Sequence, residues 1–514
     1  MLPSRLIPLV VVLITLPLFH PQTLRAGSDI LTPPPAPEPR INGPSVFGAH
    51  PGNPFLYSIP VTGTRPVTFA AVGLPDGLKI DTSTGRITGL LSKKGEYLVL
   101  FQVSNSFGTA RKKFLIVAGD TIALTPPMGW NSWNCWGGNV DQEKVLRSAK
   151  ALVSSGLSQH GWTYINIDDT WQGTRGGPFH GIQGDPQKFP DMKSLCDSIH
   201  DMGLKTGIYS TPWVVSYGNH LGGSSANPEG GWDPSANLNT GKNIHCYPFE
   251  TGKIHFAAND ARQWAAWGFD YLKYDWGPVD VGNAREMASA LRASGRDIVF
   301  SLSNNAADNI FSIIADLGPL ANSWRTTTDM NDSWESMSGI GFNQGKWAPF
   351  QHPGHYNDPD MLVVGAVGWG IPHPTRLTSD EQYTHISLWC LLGAPLLIGC
   401  DLEKLDAFTL SLLCNDEVLE IDQDPLCKQA TCVAENNNLD VYTKFLADGS
   451  VAVGLFNRSG AGSTITANWS ELKISGKQRV RNLWSQKDLG IFENEFAALV
   501  PPHGVTLLRL FPSD

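Results

Sequence analysis

From residue 124 to about residue 420, short apolar runs alternate with amphipathic stretches. In one such unit the spacing of Met192, Leu195, Ile199 and Met202 predicts a helix, which Gly203 can end before the strand-like run KTGIYS at 205–210. Eight candidate strands lie near residues 127–131, 164–168, 206–210, 271–275, 297–302, 323–328, 361–364 and 395–400. Eight strand-and-helix units in about 300 residues predict a TIM barrel. A doubly wound sheet is the alternative, although no glycine-rich phosphate loop follows the first strand.

The segments on either side of this region have a different pattern. Residues 27–39 form a Pro-rich linker, and residues 40–119 are rich in Val, Phe, Thr and turn signals, which predicts an Ig-like β-sandwich. The barrel is expected over 120–424. Residues 425–514 lose the helical periodicity and predict a C-terminal antiparallel β-domain, in which 439–457 contains two strands around an Asp448-Gly449 turn. The fold class is therefore multidomain: N-terminal β-sandwich, central TIM (β/α)8 barrel and C-terminal antiparallel β-sandwich.

The N-terminal residues and the net charge indicate where the protein is located and which partners it can bind. Residues 1–26 are typical of a signal peptide, with Arg5, an apolar run from Leu6 to Phe19 and Ala26 at the cleavage position. No other stretch is long enough to span a membrane, so we expect a secreted or periplasmic protein. The formal net charge of −10 argues against a nucleic-acid partner. The oligomeric state is unknown at this stage.

The 8 cysteines have no CxxC or zinc-site spacing. Cys427 and Cys432 are the closest pair, and they could form a disulfide that staples one loop.

Polar and aromatic residues collect at the ends of the candidate strands. They are Trp130, Asp168, Asp169, Tyr209, Lys273, Asp275, Ser303, Asn304, Arg325, Asp329, Asp358 and Asp360. Barrel topology brings the carboxyl ends of all strands to one mouth. Lys273 and Asp275 also share a strand face, since side chains alternate along a strand. A structural ion pair that caps the strand is the alternative explanation for these two.

Two kinds of chemistry suit a mouth rich in carboxylates. A metal site is disfavoured because no histidine clusters with the acids and Lys273 stands beside Asp275. Two carboxylates with aromatic walls instead fit glycoside hydrolysis, in which one acts as nucleophile and the other as acid and then base, about 5 Å apart in the retaining geometry. Lys273 and Arg325 would keep carboxylates ionised and hold sugar hydroxyls. No cofactor and no metal are implied.

Several motifs, taken in chain order, resemble glycoside hydrolase family 27. They are PPMGWNSWNCW, YINIDDTW, GIYS, DYLKYDW, WRTTTDMNDSW, NDPDMLVVG and the stretch at 415–426. The resemblance covers about residues 120–514. It implies a secreted retaining α-galactosidase or α-N-acetylgalactosaminidase with a TIM barrel and an antiparallel β-domain, acting on an oligosaccharide, polysaccharide or glycoconjugate. Residues 74–110 resemble the Ig-like, cadherin-like modules of secreted bacterial enzymes, where a spacer role is favoured over sugar binding.

The resemblance also implies roles for the residues at the strand ends. Asp275 is similar to the nucleophile of the family and Asp329 to its acid/base. Asp168 and Asp169 correspond to ligands of the galactose 4- and 6-hydroxyls. The remaining substrate-binding residues implied are Trp130 as a wall, Tyr209 as lining, Lys273 and Arg325 as hydrogen-bond donors, and Asp360. For Asp358 and Asp360, a structural turn in NDPD is favoured over a position in the pocket.

Three features depart from the family pattern. Animal members carry a half-cystine two residues after the nucleophile, paired with one in the loop after the third strand, and Gly277 occupies that position here. The loop at 212–255 is long and could roof the site with Trp213, Trp232 or His245. The fifth strand ends in Ser303-Asn304-Asn305-Ala306. Its first and last residues resemble the Ser and Ala of N-acetylgalactosamine-specific members, which leave room for the acetamido group, whereas galactose-specific animal members carry Glu and Leu there.

These features order the candidate substrates. Galactose is favoured, with α-N-acetylgalactosamine as the alternative and a β-L-arabinopyranoside behind it. A non-catalytic sugar-binding protein on the same scaffold is the alternative from another class.

Overall fold

The computed structural model describes residues 31–231, 249–303 and 307–513. The predicted signal peptide at 1–26 and the first residues of the predicted linker lie outside this range. Within it, none of the helices combines the length and apolar character that a membrane span needs.

The N-terminal segment is an Ig-like β-sandwich. Its strands are β1 (Arg40–Ile41), β2 (Val46–Ala49), β3 (Pro54–Ser58), β4 (Val61–Thr62), β5 (Thr68–Val72), β6 (Leu78–Ile80), β7 (Arg86–Leu90), β8 (Gly95–Asn105) and β9 (Gly108–Ala118). A four-stranded sheet in the order β2-β9-β8-β5 faces a three-stranded sheet in the order β3-β7-β6. Alternate residues of β8, such as Val99 and Phe101, are buried between the sheets against Ile87, which is the pattern of strands covered on one face.

The central segment is an eight-stranded parallel barrel, as predicted. The strands of this segment are β10 (Met128–Asn131), β11 (Tyr164–Asn166), β12 (Gln172–Gly176), β13 (Gly181–Gly184), β14 (Lys205–Ser210), β15 (Ser224–Ser225), β16 (Ile254–His255), β17 (Tyr271–Asp275), β18 (Val299–Ser303), β19 (Ser323–Arg325), β20 (Tyr356–Asp358), β21 (Ala366–Val367), β22 (His373–Pro374) and β23 (Leu396–Ile398). The barrel sheet has the order β20-β19-β18-β17-β14-β11-β10-β23, and a parallel bridge between Leu362 and Ile398 closes it. This closure rules out the doubly wound alternative.

The helices follow the strands and cover the barrel. They are α1 (Trp133–Trp136), α2 (Gln142–Ser154), α3 (Met192–Asp201), α4 (Ala257–Trp267), α5 (Val281–Ala293), α6 (Ala307–Leu317), α7 (Trp334–Gly341), α8 (Ser379–Leu392), α9 (Ala407–Leu413) and α10 (Asp416–Asp422). Short 3-10 turns lie at Gly137–Asn139, Leu157–His160, Gly318–Leu320, Gly345–Phe350 and Leu402–Lys404. The predicted helix α3 buries Leu195 and Ile199, and the Asp191 carboxylate caps it by accepting from the Ser194 amide.

The seventh barrel strand lies earlier in the chain than predicted. It is β20, Tyr356–Asp358, and the apolar run at 361–364 contributes only the bridge from Leu362. The run is buried on all sides, and burial alone does not separate a strand from a buried loop. Asp358 therefore ends a strand rather than preceding one.

The C-terminal segment is an antiparallel β-sandwich. Its elements are β24 (Thr431–Asn436), β25 (Leu439–Phe445), β26 (Val451–Asn457), β27 (Ser463–Asn468), α11 (Trp469–Leu472), β28 (Lys477–Asn482), β29 (Lys487–Glu493), β30 (Glu495–Val500) and β31 (Val505–Pro512). A six-stranded sheet in the order β24-β25-β26-β31-β28-β29 packs on the pair β27-β30. The predicted hairpin is β25 and β26, joined through Gly449 at a φ of 85°.

The proposed disulfide between Cys427 and Cys432 is wrong. Both thiols are free: Cys427 is buried, with its Sγ 3.1 Å from the Leu124 carbonyl, and Cys432 is exposed on β24.

The N-terminal sandwich contacts the face of the barrel where the strands begin. Asp297, just before β18, accepts hydrogen bonds from the His50 amide (3.0 Å) and from Asn53 (2.7 Å), and lies 2.8 Å from His50 Nδ1. The Ser58 hydroxyl donates to the carbonyl of Gly203, just before β14. The sandwich is therefore on the side opposite the carboxyl ends of the strands.

Candidate active site

Strand register decides which side chains enter the barrel mouth. Lys273 of β17 is level with Tyr209 of β14 and with Ser301 of β18, and Asp275 is level with Ser303. Residues level with one another on parallel strands face the same side. Arg325 and Asp358 are likewise level with each other on β19 and β20, so these strands present their polar residues to one interior.

Asp275 lies half-buried at the carboxyl end of β17. The Tyr209 hydroxyl donates a hydrogen bond of 3.2 Å to its Oδ2. Burial raises the pKa of Asp275 to about 7; Lys273 opposes this shift, and the nearby acids Asp329 and Asp168 add to it. A carboxylate whose pKa is this strongly displaced at a barrel mouth is a candidate reacting group.

Lys273 forms an ion pair at the floor of the mouth. Its Nζ donates to Oδ2 of Asp168 across 2.8 Å, and Asn131 donates to the same oxygen across 2.9 Å. Burial lowers the pKa of Lys273, but Asp168 and Asp275 outweigh burial and raise the pKa above its usual value. Lys273 therefore remains a cation between two acids of the site.

Asp169 is bound to the protein on both oxygens. Its Oδ1 accepts from the Thr170 amide (2.7 Å) and from Gln172 (2.9 Å), and its Oδ2 accepts from the Gly218 amide (2.6 Å). Burial raises its pKa, which these hydrogen bonds oppose. Asp169 thus anchors the loop after β14 to the end of β11.

Asp329 and Asp360 share Arg325. Nη2 of Arg325 lies 3.1 Å from Oδ1 of Asp329 and 3.0 Å from Oδ2 of Asp360. The Asp329 side chain is 63% exposed, whereas Arg325 and Asp360 are buried. Oδ2 of Asp360 also accepts from the Met330 amide across 2.7 Å, which fixes the backbone next to Asp329. Asp329 is therefore the solvent-facing acid of the site, and the buried residues Arg325 and Asp360 hold it in position.

The NDPD segment is both a turn and part of the site. Asp360 has a φ of 82°, and its amide donates to Oδ1 of Asp358. Burial raises the pKa of Asp358 to about 6, against the effect of Arg325. The turn points the Asp360 side chain towards Arg325. Asp360 therefore belongs to a structural turn and also lies in the site.

The prediction that Trp130 walls the sugar is wrong. Its side chain is 0% exposed, and its indole donates to the Cys400 carbonyl in the layer between the barrel and its helices. Side chains alternate along β10, so Asn131, which contacts Asp168, faces inward and Trp130 faces outward. Trp133, in the first turn after β10, is partly exposed at the carboxyl end of the barrel.

Of the remaining predicted site residues, Ser303 and Trp213 lie in the part of the chain that the structure describes. Ser303 is buried beside Asp275. Trp213 is buried, and its ring stacks on Phe249 with centroids 4.9 Å apart. Asn304, Ala306, Trp232 and His245 lie outside the described residues.

Sequence reasoning missed three residues at the mouth: Asn131, which donates to Asp168, Gly218, which donates to Asp169, and Tyr217, whose hydroxyl lies 3.4 Å from the position of a Cβ at Gly277. Asn131 follows from strand parity once Asp168 is placed inward. For Tyr217 and Gly218 the sequence held no signal, because they stand in a loop without periodicity. Over the described ranges, no group of three or more His, Cys, Asp or Glu side chains could hold a metal ion.

A parallel barrel whose mouth combines a carboxylate at the end of β17, a second carboxylate after β19, a lysine and an arginine has the groups that a glycoside hydrolase uses. A family model described as Alpha galactosidase A matches residues 125–223 and 238–424. The model of the alpha galactosidase C-terminal beta sandwich domain matches 436–510, and an Ig-domain model matches 38–119. The chain belongs to the α-galactosidase family of glycoside hydrolases, family 27.

Individual relatives agree with this assignment over most of the chain. Alpha-galactosidase 2 of Arabidopsis thaliana is 36% identical over 420 residues, which are 80% of this chain and 95% of the relative. The structure of alpha-galactosidase I from Mortierella vinacea superposes with a TM-score of 0.66 at 30% identity and covers 77% of this chain and 99% of that chain. A structure from Bacteroides fragilis, with a TM-score of 0.81 at 32% identity, covers 92% of this chain and 98% of that chain.

Proposed function

We propose that the protein is a secreted or periplasmic retaining exo-glycosidase that hydrolyses terminal α-D-galactosyl residues. The observation that carries this proposal is the paired placement of Asp275 and Asp329 around Lys273 and Arg325, in a chain whose relatives are named alpha-galactosidases. The predicted signal peptide supports export. The N-terminal sandwich sits behind the barrel, away from the mouth, which favours a spacer role for it.

In the first step, Asp275 attacks the anomeric carbon. The bond from that carbon to the glycosidic oxygen breaks, and Asp329 gives its proton to this oxygen, so the leaving group departs as a neutral alcohol. A galactosyl ester on Asp275 and an ionised Asp329 remain. The exposure of Asp329 suits this role, because the leaving group must pass to solvent.

In the second step, Asp329 takes a proton from water. The water oxygen bonds to the anomeric carbon, and the bond to Asp275 breaks, which returns both carboxyl groups to their starting states. Two displacements at one carbon retain its configuration. Lys273 and Arg325 favour the ionised form of Asp275 that this cycle needs.

The floor of the mouth would hold the sugar. Asp168 and Lys273 offer an acceptor and a donor for sugar hydroxyls beside the reacting carbon, with Tyr209 and Ser303 flanking Asp275. Asp169, whose oxygens already accept from the protein, would act chiefly by holding the loop that carries Gly218. Asp360 would act through Arg325 and the backbone at Met330.

A panel of three nitrophenyl glycosides tests the proposal: the α-galactoside, the α-N-acetylgalactosaminide and the β-L-arabinopyranoside. We expect the highest kcat/KM with the α-galactoside, and the first product seen by proton NMR to be α-galactose. Preference for either other glycoside would move the assignment to that sugar. Release of β-galactose as first product would refute the retaining mechanism, and galactose binding without turnover would support a non-catalytic protein.

A further inference from the structure

An aromatic cluster formed by Trp213, Tyr217 and Phe249 stands beside the mouth. The ring centroids of Trp213 and Tyr217 are 5.1 Å apart, as are those of Tyr217 and Phe249, and those of Trp213 and Phe249 are 4.9 Å apart. Trp213 is buried and Tyr217 is half-buried, so the cluster holds Tyr217 rigidly while leaving part of its ring accessible.

The position of Tyr217 is fixed from both sides of the mouth. The next residue, Gly218, donates its amide to Asp169 across 2.6 Å, which ties the loop to the end of β11. On the other side, the Tyr217 hydroxyl is 3.4 Å from the point where a Cβ would stand at Gly277, two residues after Asp275. A methyl group would just fit there, whereas a longer side chain would displace the phenol.

The charges of both carboxylates of the proposed reaction act on the Tyr217 phenol. Burial raises the pKa of Tyr217, and Asp275 and Asp329 raise it further, so its hydroxyl stays protonated and can donate a hydrogen bond. Asp168 and Lys273 occupy the buried floor, while Asp329 is exposed at the rim. Gly277 follows the end of β17, so the phenol beside it stands beyond Asp275 on the open side of the mouth, where the scissile bond leads outward.

We propose that Tyr217 contacts the leaving group of the substrate and, held in place by the side-chain-free Gly277, helps to select it. This inference rests on the proposed function. The sugar that is transferred fills the floor, so Tyr217 faces the alcohol that departs. Its contribution should grow with the size of that alcohol.

Two substrates distinguish contact with the leaving group from a general effect of Tyr217 on the site. They are a disaccharide with a terminal α-galactosyl residue and α-galactosyl fluoride, whose leaving group is one atom. For the disaccharide we expect Tyr217→Phe to lower kcat/KM about fivefold, which is the range of one neutral hydrogen bond, and Tyr217→Ala to lower it about thirtyfold. For the fluoride both variants should remain within about twofold of the wild type. Gly277→Leu should reproduce the pattern of Tyr217→Ala.

Matched controls are Tyr97→Phe on the N-terminal sandwich and Gly345→Leu, where no atom lies within 4 Å of the added Cβ. Both should leave kcat/KM for the two substrates unchanged, and thermal midpoints identify any variant that fails to fold. Equal losses on both substrates, or no loss with Tyr217→Ala, would overturn the inference. If the wild type cleaves neither substrate, the proposed function fails, and this inference with it.

Discussion

The Tyr209 hydroxyl donates to Oδ2 of Asp275 across 3.2 Å, from the strand next to the one that carries Asp275. The bond orients Oδ2 of the carboxylate towards β14, and Tyr209 makes no hydrogen bond to Oδ1. Together with Lys273, it stabilises the ionised form of a carboxyl whose pKa burial raises to about 7.

Replacing Asp275 by Asn should abolish turnover while preserving the fold. The amide has the same shape but cannot form the galactosyl ester, so kcat for a nitrophenyl α-galactoside should fall at least about 10⁴-fold. Asp76→Asn, an exposed site on the N-terminal sandwich, is the control and should keep full activity. Wild-type kcat in Asp275→Asn, with the mass and sequence of the variant verified, would show that another group is the nucleophile.

The pH dependence of kcat/KM should report Asp275. Only the ionised carboxylate attacks, so kcat/KM should fall as the pH is lowered through about 7. Lys273 lowers the pKa of Asp275, so Lys273→Met should raise that pKa and move the acid limb of the profile to higher pH. Lys193→Met, which removes a surface ion pair with Asp197, should leave the profile where it is. An acid limb that Lys273→Met does not move would mean that another group sets it.

Asp360→Asn should weaken catalysis more than binding. It removes the charge that pairs with Arg325 and weakens the acceptor for the Met330 amide, so Asp329 loses its fixed position. A displacement of about 1 Å can cost about 100-fold, and we expect a loss of this order in kcat with a smaller change in KM. The loss should be greater for glycosides with poorer leaving groups, which depend most on the acid. If the loss were the same for every leaving group, Asp360 would not act by positioning Asp329.

Asp297→Ala should loosen the N-terminal sandwich without affecting activity. It removes the acceptor for the His50 amide and for Asn53, and the ion partner of the His50 ring. The hydrogen bond that the His50 ring donates to the Asp297 carboxylate raises the pKa of His50 in the folded protein. The ionic contribution is therefore full below about pH 6.5, the unfolded value, and is lost as the pH rises through the raised value.

Thermal unfolding followed at about pH 5.5 and about pH 8.5 checks this sign. The midpoint difference between wild type and Asp297→Ala should be larger at the lower pH. A difference that grows with pH would contradict the ion pair, and a fall in kcat/KM would show that the sandwich acts on the site.

Most of the fold and several site residues could be predicted from the periodic spacing of apolar residues. The helix α3, the hairpin of β25 and β26, and the positions of Asp168, Lys273, Asp275 and Arg325 at strand ends all followed from local pattern, because a parallel barrel brings every carboxyl strand end to one face. The seventh strand was misplaced because a buried loop and a buried strand have the same apolar composition.

The sequence by itself determined the eight-stranded barrel between two β-sandwiches and the presence of two acids, a lysine and an arginine at its mouth, since these depend on residue types at short, regular spacing. Only the tertiary structure decided that Trp130 faces away from the mouth, that Asp169 is bound by Gly218, and that Tyr217 stands against Gly277. The physical reason is that these facts depend on register between strands and on contacts between loops far apart in the chain, neither of which leaves a periodic signal in the sequence.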